Sequence, residues 1–172
     1  MFQSPEEARN HYKPDRVKVL FVGESPPAAG TFFYYANSNL YRCVHTAFSR
    51  VYGAKCGDGD HFLSFFKSVG CYLDDLCLVP VNAMDAEERQ RHRDAGMVSL
   101  AERIKVMQPE AVIIVMKEIE NEVRLAMSSS QWSPRIVRVT TFPVHSERNR
   151  EACVSQMVEA LRVLIRTKIV EG

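Results

Sequence analysis

The chain has 172 residues, of which 46% are hydrophobic and 25% are charged, and its formal net charge is +1. A chain of this length can bury the core of one domain but is short for two, so we expect a single domain over residues 1–172. The composition excludes an intrinsically disordered chain. The small net charge does not indicate a polyanionic partner, although a neutral total can conceal a basic face.

No apolar run reaches the roughly 20 residues that a bilayer crossing requires, and the start MFQSPEEARN lacks the basic and apolar parts of a signal peptide. We therefore expect no membrane association and a cytoplasmic location, or a nuclear one in a eukaryote. The cysteine count of five is odd, and no C-x-x-C pair occurs. This pattern predicts reduced, mostly buried thiols, with no disulfide, metal site or other cofactor.

Four short apolar runs, rich in β-branched residues, have the nearly continuous hydrophobicity of strands that are covered on both faces. They are VKVLFVG at 17–23, LCLVPVN at 76–82, AVIIVM at 111–116 and IVRVTTF at 136–142. Helical patterns lie between and after them, at 39–51, 61–69, 98–107, 118–127 and 148–169. The alternation predicts an α/β fold, a three-layer α/β/α sandwich with a central four-stranded parallel sheet. Functional sites in such sheets form where loops leave the carboxyl ends of the strands.

The first predicted strand runs into Gly23-Glu24-Ser25-Pro26-Pro27. A glycine followed by an acid and two prolines is typical of a rigid turn, which here presents a carboxylate at the functional edge of the sheet. The alternative is an ordinary turn with a solvated glutamate.

This segment resembles the first motif of the uracil-DNA glycosylase superfamily, which reads G-Q-D-P-Y, G-I-N-P-G, G-M-N-P-G or G-E-A-P-G in its classes. The following Gly30-Thr31-Phe32-Phe33 and Asn39-Leu40-Tyr41 resemble the G-x-x-F and N-x-F-W of the mismatch-specific class. The resemblance implies that Gly23 borders the substrate and that an aromatic side chain stacks on an extruded base. We choose Phe33 for that role, and its neighbours Phe32 and Tyr34 are alternatives that the register leaves open. The alternative is an aromatic cluster that fills the core beside the turn.

Asn82, at the end of the second predicted strand, resembles the asparagine that reads the base in two classes of the family. A carboxamide presents an adjacent donor and acceptor, which match the imide edge of uracil. Asn82 could also be a helix cap or a turn residue.

The segment after the fourth predicted strand resembles the second family motif, H-P-S-P-R-N or N-P-S-G-L-S. Ser146, Arg148 and Asn149 match its S-x-R-N portion, but Val144 occupies the place of the family histidine. His145, one residue later, is the candidate that replaces it. The alternative is that the leaving base is stabilised by another group.

The resemblance implies hydrolysis of an N-glycosidic bond through an oxocarbenium-like state. Glu24 would assist the sugar, Ser25 would orient water, and His145 would donate to the departing base. The G-E-A-P-G class carries an iron–sulfur cluster with a cysteine pair near its amino terminus. Since this chain has no cysteine before Cys43, no cluster is expected.

The implied partner is single- or double-stranded DNA with a damaged or deaminated base, uracil first and hypoxanthine second, bound by a monomer. Ser146, Arg148, Asn149 and Arg150 would hold the DNA backbone, with Arg148 as a candidate wedge. A monofunctional enzyme that leaves an abasic site is the simplest expectation. Two alternatives stay open: an inactive superfamily member that binds nucleic acid or a protein, and a flavodoxin-like or nucleotide-binding module.

Overall fold

The structure of the protein is a computed structural model, which describes residues 2–28 and 30–172. In chain order its elements are helix α1 (Pro5–His11), strand β1 (Val19–Gly23), helices α2 (Asn39–Tyr52) and α3 (Asp60–Ser68), strand β2 (Cys71–Asp75), helix α4 (Ala86–Met107), strand β3 (Ala111–Ile114), helix α5 (Glu120–Ser129), strand β4 (Arg135–Val139) and helix α6 (Glu147–Arg166). Short 3₁₀ turns occupy Phe33–Tyr35, Gly53–Cys56 and Lys117–Ile119.

The strands form one four-stranded sheet in the order β2-β1-β3-β4, and all three pairings are parallel. Helix α2 packs against α6, and α4 packs against α5. The predicted α/β fold with a four-stranded parallel sheet is therefore confirmed. Because β1 lies between β2 and β3, the chain crosses the sheet after β2, and the loops after β1 and its neighbours surround one crevice.

The second predicted strand is wrong. Residues 76–82 form a loop, and the strand that pairs with β1 is the preceding segment, Cys71–Asp75. Because two acids stand at its end, this strand lacks the continuous hydrophobicity from which the other strands were predicted. Asp74 and Asp75 are nevertheless buried, because arginines from α1 and α4 neutralise them.

Helix α4 begins earlier than the pattern predicts, at Ala86 rather than near residue 98. The side chain of Asp85 caps its first turn by accepting from the amide of Glu88. The additional turns are mostly charged and carry no apolar stripe, so periodicity does not detect them. The other predicted helices agree with the structure to within a few residues, and α1 was not predicted at all.

The prediction that every cysteine is reduced is also wrong. Cys43 on α2 and Cys153 on α6 form a disulfide, with their Cα atoms 6.4 Å apart. These residues are separated by 110 positions in sequence, so only the packing of α2 against α6 reveals the pair. Cys56, Cys71 and Cys77 are free and buried.

A tyrosine hydroxyl supplies the hydrogen-bond partners for backbone groups at the outer edge of β2. The hydroxyl of Tyr34 donates to the carbonyl oxygen of Leu73 at 2.9 Å and accepts from the Leu73 amide at 2.7 Å. One buried side chain thereby covers both polar groups of an edge residue that would otherwise lack partners. None of the helices in the described ranges has an apolar stretch long enough to cross a membrane.

Replacing Tyr34 with phenylalanine should destabilise the fold by about 1–3 kcal/mol, because the amide and carbonyl of Leu73 would lose their partner in a buried place. The free energy of unfolding in urea measures the effect. Tyr35→Phe, at the neighbouring half-buried tyrosine, is the control and should change it by less than about 1 kcal/mol. Equal losses in the two variants would contradict this role for Tyr34.

Candidate active site

A cavity of about 540 Å³ lies at the carboxyl ends of the strands. Residues that end or follow each of the four strands line it, among them Glu24 after β1, Asp75 in β2, Met116 after β3 and Phe142 after β4. Its place agrees with the expectation for parallel sheets.

The structure brings six of the ten catalytic, substrate-binding and DNA-binding candidates from the sequence to this one cavity. They are Gly23, Glu24, Ser25, Phe33, Asn82 and His145. The other four, Ser146, Arg148, Asn149 and Arg150, do not line it and lie at the start of α6.

The aromatic cluster both lines the cavity and belongs to the core. Phe32 and Phe33 contribute to the cavity wall, and Phe33 is only 3% exposed. The ring of Phe33 contacts Tyr34 edge-on, with centroids 5.1 Å apart, and lies 5.3 Å from the ring of Phe66. Phe33 is therefore held rigidly, as a stacking platform for a planar ligand has to be.

Hydrogen bonds join the loop after β1 to the loop after β2. The amides of Leu76 and Cys77 donate to the carbonyl oxygens of Gly23 and Glu24 at 2.8 and 2.7 Å.

Two side chains continue this pairing. Ser25 Oγ accepts from the Val81 amide at 3.3 Å, and Asn82 Oδ1 accepts from the Ala28 amide at 3.1 Å. The Ser25 hydroxyl can still donate its proton, and the Nδ2 group of Asn82 keeps its two donors.

Both arginines of a pair on α4 bind Glu24. Its Oε1 accepts from Arg89 Nε at 2.7 Å and from Arg93 Nε and Nη2 at 2.8 and 2.5 Å, whereas Oε2 accepts from Arg89 Nη2. Most of the free hydrogen-bonding capacity of the carboxylate is thus on Oε2.

The arginines determine the charge of Glu24. Its side chain is 9% exposed, and burial alone would raise its pKa. The hydrogen bonds from Arg89 and Arg93 outweigh that effect and lower the pKa of Glu24 below its ordinary value of 4.5. Glu24 is therefore ionised at neutral pH, and it is a weak base.

A second carboxyl, which sequence reasoning missed, also lines the cavity. Asp75, at the end of β2, is 4% exposed, and its Oδ2 accepts a hydrogen bond from Arg9 of α1. Burial raises the pKa of Asp75 to about 6. The signal in the sequence is the pair Asp74-Asp75 within an apolar run, since buried acids require partners.

His145 reaches the cavity through an unusual backbone. The Val144 amide donates to the carbonyl oxygen of Phe142 at 2.9 Å, which makes a tight turn at Pro143, and His145 follows with a left-handed φ of 70°. Both Val144 and His145 line the cavity as a result. The imidazole is exposed, so a ligand can reach it.

The start of α6 has a capped geometry. Ser146 Oγ accepts from the Asn149 amide at 3.1 Å, and Asn149 Nδ2 donates to the Val144 carbonyl oxygen at 2.8 Å. Arg150 pairs with Glu147 on the surface, and Arg148 is exposed. Ser146 and Asn149 thus hold the turn that carries His145.

The amino-acid sequence that carries this site matches the model of a known protein family. The family model described as the uracil DNA glycosylase superfamily matches residues 10–164. The chain belongs to the uracil-DNA glycosylase superfamily. No curated protein matches it.

Membership of the uracil-DNA glycosylase superfamily raises the question of an iron–sulfur cluster, which one class of the family carries. Among the residues that the structure describes, no group of three or more His, Cys, Asp or Glu side chains could hold a metal ion. Cys43 and Cys153 are bonded to each other. The residues that the structure describes in this superfamily member therefore do not fit such a cluster.

Replacing Glu24 with glutamine should lower the free energy of unfolding at neutral pH by about 2 kcal/mol, because the charge-assisted bonds from Arg89 and Arg93 are lost. The pKa of Glu24 is lower in the folded state, so this stabilisation is present above the unfolded value of 4.5 and is lost as the pH falls through the folded value. Urea unfolding of both proteins between pH 3 and 8 measures it.

Glu87→Gln is the matched control on α4. Glu87 pairs with Arg91 on the surface, where both side chains are mostly exposed, and its loss should cost less than about 1 kcal/mol at any pH. A difference between wild type and Glu24→Gln that stays constant down to pH 3 would count against the ion pairs as its source.

Proposed function

We propose that this chain is a monofunctional DNA glycosylase that binds an extruded, damaged base in the cavity and hydrolyses its N-glycosidic bond. The observation that carries the proposal is the convergence of Phe33, Glu24 and His145 on one cavity at the carboxyl edge of the sheet. They supply a stacking surface, a carboxylate and an imidazole. Uracil and hypoxanthine are the lesions that the family resemblance puts first.

Base binding rests on Phe33 and Asn82. A buried, immobile ring gives a base a stacking surface at small entropic cost, and stacking tolerates any base. Asn82 keeps its Nδ2 donors, which suit a carbonyl oxygen on the base. Base flipping costs a few kcal/mol and least for mispaired or unpaired bases, so these are the favoured substrates.

The chemistry follows from the two charges that develop as the bond breaks. The sugar becomes positive, and the carboxylate of Glu24 stabilises it by charge rather than by removing a proton, because the arginines keep it a weak base. Oε2 of Glu24 and the hydroxyl of Ser25 orient the attacking water. His145 donates a hydrogen bond to the departing base.

Contacts to DNA come from the start of α6. Ser146, Asn149 and Arg150 face phosphates there together with the exposed Arg148, which is also the candidate wedge for the vacated stack. In the described part of the chain no lysine lines the cavity, which favours hydrolysis by water over a Schiff-base intermediate. Such an enzyme acts as a monomer wherever the DNA is, in the cytoplasm or a nucleus.

An inactive, DNA-binding superfamily member is the second candidate. It is favoured by the four hydrogen bonds that Arg89 and Arg93 already donate to Glu24.

A cleavage assay distinguishes these functions. Single- and double-stranded oligonucleotides with uracil, hypoxanthine, xanthine or an ordinary mismatch are incubated with the protein, and alkali then breaks the strand at abasic sites. We expect cleavage by wild type, and a loss on the order of 100-fold in Glu24→Gln and in His145→Ala, because each removes a group that stabilises developing charge.

Glu87→Gln and His61→Ala, at exposed residues outside the cavity, are the matched controls and should keep the wild-type rate. Binding without cleavage of any substrate would favour the inactive member. Cleavage that survives both Glu24→Gln and His145→Ala would contradict the residue roles.

A further inference from the structure

Asp75 is a buried carboxyl in the cavity to which the proposed chemistry gives no role. It is held by the end of β2 and shares the cavity wall with Phe33 and Glu24. Carboxyls whose pKa is shifted by burial together with a specific charge partner cluster at functional sites, and Asp75 combines both with a place in the cavity.

One oxygen of this carboxyl is fixed from behind. Arg9 donates to Asp75 Oδ2, and the same guanidinium lies 3.5 Å from Asp74 and 5.5 Å from the centre of the Phe32 ring. The side chain of Arg9 is itself 10% exposed. The charge of Arg9 opposes the effect of burial on the pKa of Asp75, which at about 6 leaves the carboxylate mostly ionised at neutral pH, and the hydrogen bond from Arg9 holds it in one orientation.

The other oxygen, Oδ1, lies against the backbone at Gly23. A Cβ atom on residue 23 would come within 2.5 Å of Oδ1, so only glycine leaves room for the carboxylate there. Within the described ranges, no side chain or amide donates a hydrogen bond to Oδ1. Its acceptor capacity is therefore available to a ligand in the cavity.

We infer that Asp75 reads the pairing edge of the bound base, with Oδ1 accepting one N–H, and that it makes hypoxanthine a better substrate than uracil or xanthine. This inference rests on the proposed function and names its substrate class. The specificity of the cavity would then come from the Asp75 carboxylate, which accepts hydrogen bonds and donates none.

The preference follows from what flanks the N–H on each base. In uracil and xanthine the imide N–H lies between two carbonyl oxygens, so a carboxylate that approaches it meets an oxygen on either side. In hypoxanthine the N1–H has a carbonyl on one side and a C–H on the other, which leaves one side free of repulsion. An amide, with a donor beside its acceptor, would match the imide instead.

The test compares excision rates for hypoxanthine and uracil in otherwise identical single-stranded oligonucleotides, measured on the same enzyme preparation. We expect wild type to favour hypoxanthine by about tenfold, and Asp75→Asn to move the ratio toward uracil by about tenfold or more. Because both rates come from one preparation, their ratio does not depend on how much of a destabilised variant is folded.

Asp74→Asn is the matched control, since Asp74 also pairs with Arg9 but does not line the cavity. It should lower stability and leave the ratio unchanged. If Asp75→Asn does not fold, the double variant Arg9→Gln/Asp75→Asn, which removes the charge pair together, takes its place. A ratio that moves equally in Asp74→Asn, or does not move in any Asp75 variant, would overturn the inference.

Failure of the proposed function is distinguishable from failure of this inference. Equilibrium binding of oligonucleotides whose 2′-fluorine slows excision gives a second ratio that requires no cleavage. If no substrate is cut, the proposed function fails, while a binding preference for hypoxanthine that Asp75→Asn inverts would still support Asp75 as the reader. If both bases are cut or bound equally by wild type and Asp75→Asn, the inference fails alone.

Discussion

The site depends on a group of buried carboxylates at the ends of β1 and β2 that arginines from two helices neutralise. The acids are Glu24, Asp74 and Asp75, and the bases are Arg9, Arg89, Arg93 and Arg103. Three acids this close would repel one another and could not all remain ionised without the arginines. The ion pairs thereby hold α1 and α4 against the carboxyl edge of the sheet and define the back of the cavity.

This charge arrangement also limits the chemistry that Glu24 can perform. A glutamate with a raised pKa could remove a proton from water, but the bonds from Arg89 and Arg93 lower the pKa of Glu24. Cleavage through an oxocarbenium-like state needs little assistance from a base, because the water attacks an already positive sugar. A permanently ionised and immobile carboxylate suits that reaction, since its charge requires no reorganisation as the sugar becomes positive.

Local sequence features predicted the layers of the fold and much of the site, but not the contacts between distant residues. The apolar runs that became β1 and β3 were recognisable because both strands are fully buried, and β4, which is only partly buried, was recognisable from its β-branched residues. The same reasoning failed for β2, where Asp74 and Asp75 reduce the hydrophobicity of a buried strand and the apolar stretch after it is a loop. Arg9 and Asp75 are 66 positions apart in sequence, so only the folded structure reveals the ion pair between them.

The site residues likewise divide into those that a local motif predicted and those that depend on contacts between distant parts of the chain. The first and second motifs brought Glu24 and His145 to one cavity because the carboxyl ends of parallel strands share an edge. Asp75 was not predicted as a site residue, because the second strand was predicted to end at Asn82, seven residues after its actual end. The disulfide between Cys43 and Cys153 was not predicted either, because a contact between two helices that are distant in sequence leaves no local sequence pattern.

The displaced histidine is explained by the backbone that carries it. With the turn at Pro143 and the left-handed conformation of His145, the two consecutive residues Val144 and His145 both line the cavity. A shift of one position in sequence therefore does not remove the imidazole from the site. A left-handed conformation costs a residue other than glycine roughly 1 kcal/mol, and the bond from Asn149 to Val144 helps to maintain it. The carboxylate of Glu24 is buried, whereas the imidazole of His145 is exposed. In the proposed mechanism, the hydrogen bond from His145 to the departing base would therefore gain full strength only when bound DNA covers the mouth of the cavity and excludes water.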